Sequence, residues 1–505
     1  MTAAYAVVIP TIGRPSLGRL LAALNIAAGP EPAAVIVVDD RPAPGQPLAL
    51  PASELPITVL HCGGRGPAAA RNLGWRSTAA DWICFLDDDV VPGPDWRHQL
   101  ASDLSEADHS VVGSQARILV PAPTENGQPR RPTDDEQRTL RLATAQWITA
   151  DMAYRRAALV SCGGFDERFP RAYREDADIA LRLTRAGGRI TQASRETEHP
   201  VVGAGVKTRS SAWSSVRAQR GNRDDALMRR KHGRGWRAAV GEGRGRLPLH
   251  LLTTGAALAA AAAACARLRR VAVAGVLCWL AMTVEFALRR IAAGPRTPRE
   301  IAAMALSSVL IPPVAVGQRL CGTWVFRNAT ADPPLAVLLD RDDTLIKDGP
   351  YLSDPAGVTP MPTARRALCR LRKHGVLLAV VTNQSGVAKG LISPEQLDAV
   401  NSRVEELLGP FDCWQICVHD DGCACRKPAP GMVIAAAGAL GVHTGRCVMI
   451  GDTGGDVAAA RAAQAKAILV PTKRTRRAEI TDAHANAHVA DSLDDAVSLV
   501  LKGLR

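Results

Sequence analysis

Four short segments in the C-terminal third carry residues whose order suits phosphoryl transfer. They are Asp-Arg-Asp-Asp-Thr at 340–344, Thr-Asn-Gln-Ser-Gly at 382–386, Cys-Arg-Lys-Pro at 425–428 and Gly-Asp-Thr-Gly-Gly-Asp at 451–456. An aspartate at a strand end can attack phosphorus to form an acyl phosphate, and a second aspartate two residues on can protonate the leaving oxygen and then activate water. A hydroxyl and an ammonium hold the phosphoryl oxygens, and a remote acidic pair completes a magnesium site. Just upstream of 425–428, Cys417, His419, Cys423 and Cys425 form C-x-H-x3-C-x-C. Three thiolates and one imidazole make a closed tetrahedral zinc site, which staples a loop and leaves no open position for catalysis. Cys413 falls outside the pattern and reads as a core thiol. In the N-terminal part, Asp87-Asp88-Asp89 follows an apolar run. Carboxylates spaced Asp-x-Asp can hold a divalent cation that neutralises a departing diphosphate, whereas an isolated triplet is equally a solvated acidic turn.

These residues need elements to carry them. From residue 1 to about 200, short β-branched runs (AVVIP, AVIVVDD, WICFLDDD) alternate with stretches of helical period (SLGRLLAAL, AAARNLGWRS). The alternation resumes from about 334 with LAVLLDRDDT, ARRALCRLRKHG, VLLAVVTNQS and GRCVMIGDTGGD. Strands alternating with helices predict an α/β fold, each half a mostly parallel sheet covered on both faces. Ligands of such sheets bind beyond the carboxyl ends of the strands, where Asp39-Asp40, Asp87-Asp88-Asp89 and Asp340 fall.

At 505 residues the chain exceeds one small binding module and should hold about three units. Its net charge of +13 is concentrated between 204 and 250, where twelve Lys or Arg face three acidic residues. Three runs without Asp, Glu, Lys or Arg follow, at 247–266, 271–284 and 301–318. A basic collar leading into apolar runs reads as a membrane anchor, and a buried helical subdomain is the alternative. Arg267, Arg269 and Arg270 separate the first two runs, so a simple hairpin would oppose the positive-inside bias. No nucleic-acid reading motif accompanies the basic stretch. Twelve cysteines are too sparse for a disulfide scaffold and suit a reducing compartment. With no basic leader at the N-terminus, the catalytic parts are expected in the cytoplasm, at the inner face of the cell membrane. The sequence sets no oligomeric state.

VVIPTIGRP, VIVVDDRP, GGRGPAAARNLGW, ICFLDDDVVP and FPRAYREDADIALRLTRAG together resemble the family 2 inverting glycosyltransferases of GT-A fold, over roughly residues 5 to 235. The resemblance implies a nucleotide-sugar substrate, with Asp39 or Asp40 at the base or ribose. It also implies Asp87 and Asp89 on Mg2+ or Mn2+, and a catalytic base from Glu175-Asp176, with Asp176 first. Glu175 and Asp178 stand behind it as alternatives. Arg71 and Asn72 are open between a diphosphate contact and helix solvation, and His199 between the metal shell and a structural role.

Residues 335 to 500 resemble the haloacid dehalogenase superfamily, and within it the histidinol-phosphate and heptose 1,7-bisphosphate phosphatase group. The resemblance makes Asp340 the nucleophile, Asp342 the general acid/base, and Thr382 and Lys427 the phosphate holders. Mg2+ falls to Asp340, Asp342 and Asp452, with Asp456 either nearby or a helix-terminal charge. Asn383 and Arg426 become substrate contacts, and the Cys417/His419/Cys423/Cys425 loop a structural Zn2+ site. Three departures stand out: a His419-to-Cys423 spacer of only three residues, shorter than the group's zinc loop, Asp343 where the group usually has Gly, and Thr453 where the heptose enzymes carry a basic residue. DGPYLSDP resembles the heptose subgroup, and that resemblance implies a phosphorylated sugar over histidinol phosphate.

The whole chain is therefore expected as residues 1–235 (transferase), 236–330 (basic, apolar, membrane-associated) and 331–505 (phosphatase). A non-catalytic zinc-stabilised scaffold at the C-terminus is the alternative.

Overall fold

The computed structural model describes residues 4–125, 127–201, 212–347, 349, 351–420 and 422–502. It divides into two units, Met1–Leu159 with Phe165–Arg327, and Val160–Gly164 with Asn328–Arg505.

The first unit is built on an eight-stranded sheet. Its strands are β1 (Tyr5–Thr11), β2 (Ala34–Asp39), β3 (Ile57–His61), β4 (Trp82–Leu86), β5 (Val91–Pro92) and β6 (Val111–Leu119). After a two-stranded hairpin of β7 (Thr124–Glu125) and β8 (Gln128–Pro129) come β9 (Asp151–Arg155) and β10 (Arg189–Glu198). The order is β3-β2-β1-β4-β9-β6-β10-β5. β3, β2, β1 and β4 run parallel, and β9 is antiparallel to both β4 and β6. β4 is apolar throughout, and β1 and β2 are apolar up to their last residues, Thr11 and Asp39, as suits strands buried on both faces. Gly74 lets the helix Pro67–Arg76 close onto the sheet, since a Cβ there would meet Val8 at 2.4 Å.

Three long helices follow in the same unit, Leu247–Cys265, Arg269–Ala293 and Pro298–Val325. All three are long and apolar enough to cross a membrane, and only 11% of the middle one's apolar window is buried. The second helix runs past its charge-free stretch, with Glu285 paired to Arg246 and Arg289.

The second unit is an all-parallel six-stranded sheet of β11 (Ala336–Leu339), β12 (Leu377–Asn383), β13 (Cys413–Cys417), β14 (Cys447–Gly451), β15 (Lys466–Leu469) and β16 (His488–Val489). Its order is β13-β12-β11-β14-β15-β16, with an apolar core on each face. The expected mixed α/β fold, with apolar helices between two sheets, is what the chain adopts.

Candidate functional site

In the second unit, Asp340 follows β11, Thr382 and Asn383 end β12, Cys417 ends β13 and Asp452 follows β14. Parallel pairing of these strands brings all four segments to one edge of the sheet. A cavity of about 380 Å³ opens there, lined by Asp340, Asp342, Asn383, Gln384, Lys427 and Asp452 among others. Lys427 Nζ donates to Asp340 Oδ1 at 2.7 Å, Asp456 Oδ1 at 2.6 Å and the Val381 carbonyl at 2.9 Å. Burial alone would lower the Lys427 ammonium, but the two flanking carboxylates outweigh it and hold the group above its ordinary value. Burial pushes Asp340 up to about 8, with Lys427 opposing, and Asp452 up to about 7, with Asp456 and Asp343 adding to the effect.

The carboxylate oxygens of Asp340, Asp452 and Asp456 lie within 4.8 Å of one another and could hold a cation. Asp456 is already committed. Its Oδ2 accepts from Thr453 N at 3.1 Å and Thr453 Oγ1 at 2.7 Å in a helix-capping box, and it does not line the cavity. The hard oxygen donors left facing the cavity, Asp340 and Asp452, fit Mg2+. Asp342 lines the same cavity but stands outside that group of three, its carboxylate accepting from Gln384 Nε2 at 2.7 Å and from the Arg341 guanidinium at 3.1 Å.

Thr382 is fully buried and accepts from Gln384 Nε2 at 2.8 Å. Asn383 is turned onto the backbone of Lys427, donating to its carbonyl at 3.0 Å and accepting from its N–H at 3.1 Å, so it fixes the strap that carries the ammonium. Arg426 lies on the cysteine loop, its Nη1 donating to the His419 carbonyl at 3.3 Å, and is not among the cavity-lining residues. Cys417, His419, Cys423 and Cys425 present ligand atoms within 4.8 Å of one another, their sulfurs 3.1–3.5 Å apart. That donor set fits Zn2+, and Cys413 stands outside it.

The first unit gathers its acidic segments at the carboxyl ends of β1, β2 and β4, around a cavity of about 480 Å³. Each aspartate of the triplet meets a basic partner. Arg71, fully buried, donates to Asp87 at 2.7 Å and to Glu175 at 2.9 Å. Arg14 donates to Asp88 at 3.1 Å and Asp89 at 2.8 Å, and Thr11 Oγ1 donates to Asp88 at 2.6 Å. His199 Nε2 lies 3.5 Å from Asp89 Oδ1. Asp40 lines the cavity and accepts from the N–H groups of Arg65 and Gly66. Asp39 is fully buried and gripped by Arg41, at 2.8 and 2.6 Å. Asn72 braces the Phe165 backbone from inside the unit's core.

Asp176 lines the cavity, its Oδ1 accepting from Ala177 N at 2.7 Å, and burial raises its carboxyl. Glu175 is pushed up to about 8 by burial and by Asp176, against Arg71, and its Oε2 is buried without a hydrogen bond. Asp178 is withdrawn into an ion network with Lys231, Arg182 and His232. Sequence reasoning assigned no role to Arg14, Thr11, Gln384 or Arg474, although the first three lie inside the quoted motifs. The signal for Thr11 and Arg14 was their place at the end of the first strand and three residues beyond it.

A mixed α/β unit and an all-parallel one, each with clustered strand-end residues, go with two enzyme classes in one chain, a family 2 glycosyltransferase and a haloacid dehalogenase-type phosphatase. A family 2 glycosyl transferase model matches residues 6–163, and a HAD-hydrolase-like model matches 424–496. The chain is 37% identical over 143 residues to a D-glycero-beta-D-manno-heptose-1,7-bisphosphate 7-phosphatase of Pseudomonas aeruginosa, covering 27% of this chain and 80% of that protein. It is 33% identical over 186 residues to the enzyme of the same description from Pasteurella multocida, covering 34% of this chain and 98% of that one. Among solved structures, a D,D-heptose 1,7-bisphosphate phosphatase from B. bronchiseptica, complexed with magnesium and phosphate, shares 30% identity over 33% of this chain and 98% of that chain, at a TM-score of 0.30. Through its C-terminal part the chain belongs to this phosphatase family, and it carries a glycosyltransferase domain ahead of it.

Proposed function

We propose that the chain is a bifunctional enzyme whose C-terminal site hydrolyses a sugar phosphate or bisphosphate, with a heptose 1,7-bisphosphate as the first candidate. The observation that carries this reading is Lys427 lodged between Asp340 and Asp456 at the strand ends, with Asp452 facing the same cavity. Asp340 attacks phosphorus and becomes the aspartyl phosphate, while Lys427 and Thr382 hold the phosphoryl oxygens. Asp342, steadied by Gln384 and Arg341, gives its proton to the leaving oxygen and later takes one from water. Bound Mg2+, held by Asp340 and Asp452, supplies positive charge against the developing charge on phosphorus. The four-ligand Zn2+ loop is structural and fixes the strap on which Lys427 rides.

The N-terminal site performs metal-dependent inverting transfer from a nucleotide sugar. Asp176 takes the acceptor proton, Asp87 and Asp89 hold Mg2+ or Mn2+, and Asp40, with Asp39 behind it, meets the nucleoside. Residues 1–235, 236–330 and 331–505 form the transferase, anchor and phosphatase. The apolar helices attach the enzyme to the inner face of the membrane, so the protein should sediment with membranes in high salt.

The test is phosphate release by the full chain from heptose 1,7-bisphosphate, histidinol phosphate and an aryl phosphate. Preference for histidinol phosphate would move the substrate assignment. Silence on all three with Mg2+ present would leave a scaffold.

A further inference from the structure

The phosphatase cavity is far larger than the reacting phosphate needs, and at about 380 Å³ it is of a size that encloses a small ligand. Three cations line it. Lys427 is buried against Asp340 and Asp456, at the reacting end. Arg341 is 2% exposed and turned inward, donating to Asn401 Oδ1 at 2.8 Å and to Asp342. Arg474 differs from both. Its side chain is 55% exposed at the rim, with Nη1 3.6 Å from Asp343 Oδ2.

Two features of the chain place this guanidinium. Asp343 sits in a left-handed turn, φ +55°, that its N–H closes onto the Ile346 carbonyl, so its carboxylate is presented to the rim rather than to the core. The turn that carries Arg474 is fastened to the floor of the site: Thr475 Oγ1 donates to the Asp452 carbonyl at 2.7 Å, and Thr472 N donates to Thr475 Oγ1 at 2.8 Å. Thr453, the other polar rim residue on that side, spends its hydroxyl on Asp456 and offers no charge.

We infer that Arg474 is a specificity-determining residue that binds the second, non-reacting phosphate of a bisphosphate substrate, with Asp343 as the carboxylate that parks the guanidinium until that phosphate arrives. The inference rests on the phosphatase reading above and deepens it. A planar guanidinium binds phosphate in bidentate fashion, and a phosphate dianion competes with the Asp343 carboxylate that lies 3.6 Å away. Arg474 thus explains how the chain handles a doubly phosphorylated sugar without a basic residue at Thr453.

The experiment compares kcat/KM of the full-length protein for heptose 1,7-bisphosphate and for heptose 7-phosphate. The Arg474→Ala variant should lower the ratio of the two by about tenfold, with the loss in KM for the bisphosphate rather than in kcat. Arg474→Lys should recover part of the ratio, since it keeps the charge and loses the fork. An unchanged ratio in Arg474→Ala, or an equal fall for both substrates, overturns the inference while leaving the phosphatase reading intact. A wild-type protein that releases phosphate from neither substrate overturns both.

Discussion

Lys427 Nζ bridges Asp340 and Asp456, 2.7 Å from one carboxylate and 2.6 Å from the other, although the three residues come from separate strand-end segments. The ammonium thereby joins the Asp340 carboxylate to the cap of the helix Gly454–Ala462. Replacing it with Met keeps the bulk and removes the charge. Phosphate release from an aryl phosphate should fall by about 10²–10³-fold, as when a charge-stabilising donor is deleted from an active site. Circular dichroism at the assay temperature checks that the variant is folded, and near wild-type turnover would remove Lys427 from the chemistry.

Asp340 and Asp342 should separate in their leaving-group dependence. On the proposed mechanism Asp340→Asn removes the nucleophile, and phosphate release should drop to background for every substrate, with no rescue by excess magnesium. Asp342→Asn keeps the nucleophile and loses the proton donor, so activated aryl phosphates should suffer least in the first step. Burst-phase measurement with good and poor leaving groups distinguishes the two.

In the transferase, Asp176→Asn should spare binding of the nucleotide-sugar donor and remove turnover, whereas Asp89→Ala should abolish metal-dependent transfer. Donor titration by calorimetry beside a transfer assay separates these outcomes. Full turnover by Asp176→Asn would return the role of base to Glu175, whose Oε2 has no hydrogen-bond partner.

The network behind that site makes a prediction about stability and pH. Lys231 Nζ lies 2.5 Å from both Asp166 and Asp178. Burial would raise both carboxyls, but Arg168 and Lys231 around Asp166, and Arg182 and Lys231 around Asp178, hold them below the usual carboxylate range. Depressed values in the folded state contribute stability that is present above the unfolded value of about 3.9 and is lost as pH falls below it. Lys231→Met should cost about 3–5 kcal/mol at neutral pH by leaving two buried carboxylates under-compensated. The gap to wild type should narrow in acid, as read by urea unfolding at pH 7 and at about pH 2.5, below the unfolded carboxylate value; a pH-independent gap would assign the loss to packing.

Much of this organisation is legible from residue order, because strand and helix periods differ and the chemistry sits at strand ends. The assignment of Asp340, Thr382 and Asp452 to one edge required only that β11, β12 and β14 pair in parallel. Side-chain direction was not legible. Asn383 is claimed by the backbone of a residue 44 positions away, Asp39 by an arginine two positions on, and Asp456 by its own helix cap. Motif spacing carries no information about such local competition for hydrogen bonds. Arg474 was invisible for another reason: it stands beyond the last motif, and only the turn folded back onto Asp452 brings it to the rim.

The cysteine loop and the Lys427 ammonium share one stretch of backbone, with Cys425 only two residues before Lys427 and Asn383 bonded to both the N–H and the carbonyl of Lys427. Between His419 and Cys423, by contrast, Asp420 and Gly422 are exposed. Length variation is therefore unequally tolerated along this segment. Residues added between His419 and Cys423 extend outward and reshape what the loop offers to solvent, whereas one residue added after Cys425 would pull either a thiolate or the ammonium out of register. The loop can drift in evolution at one end while the other end keeps its register.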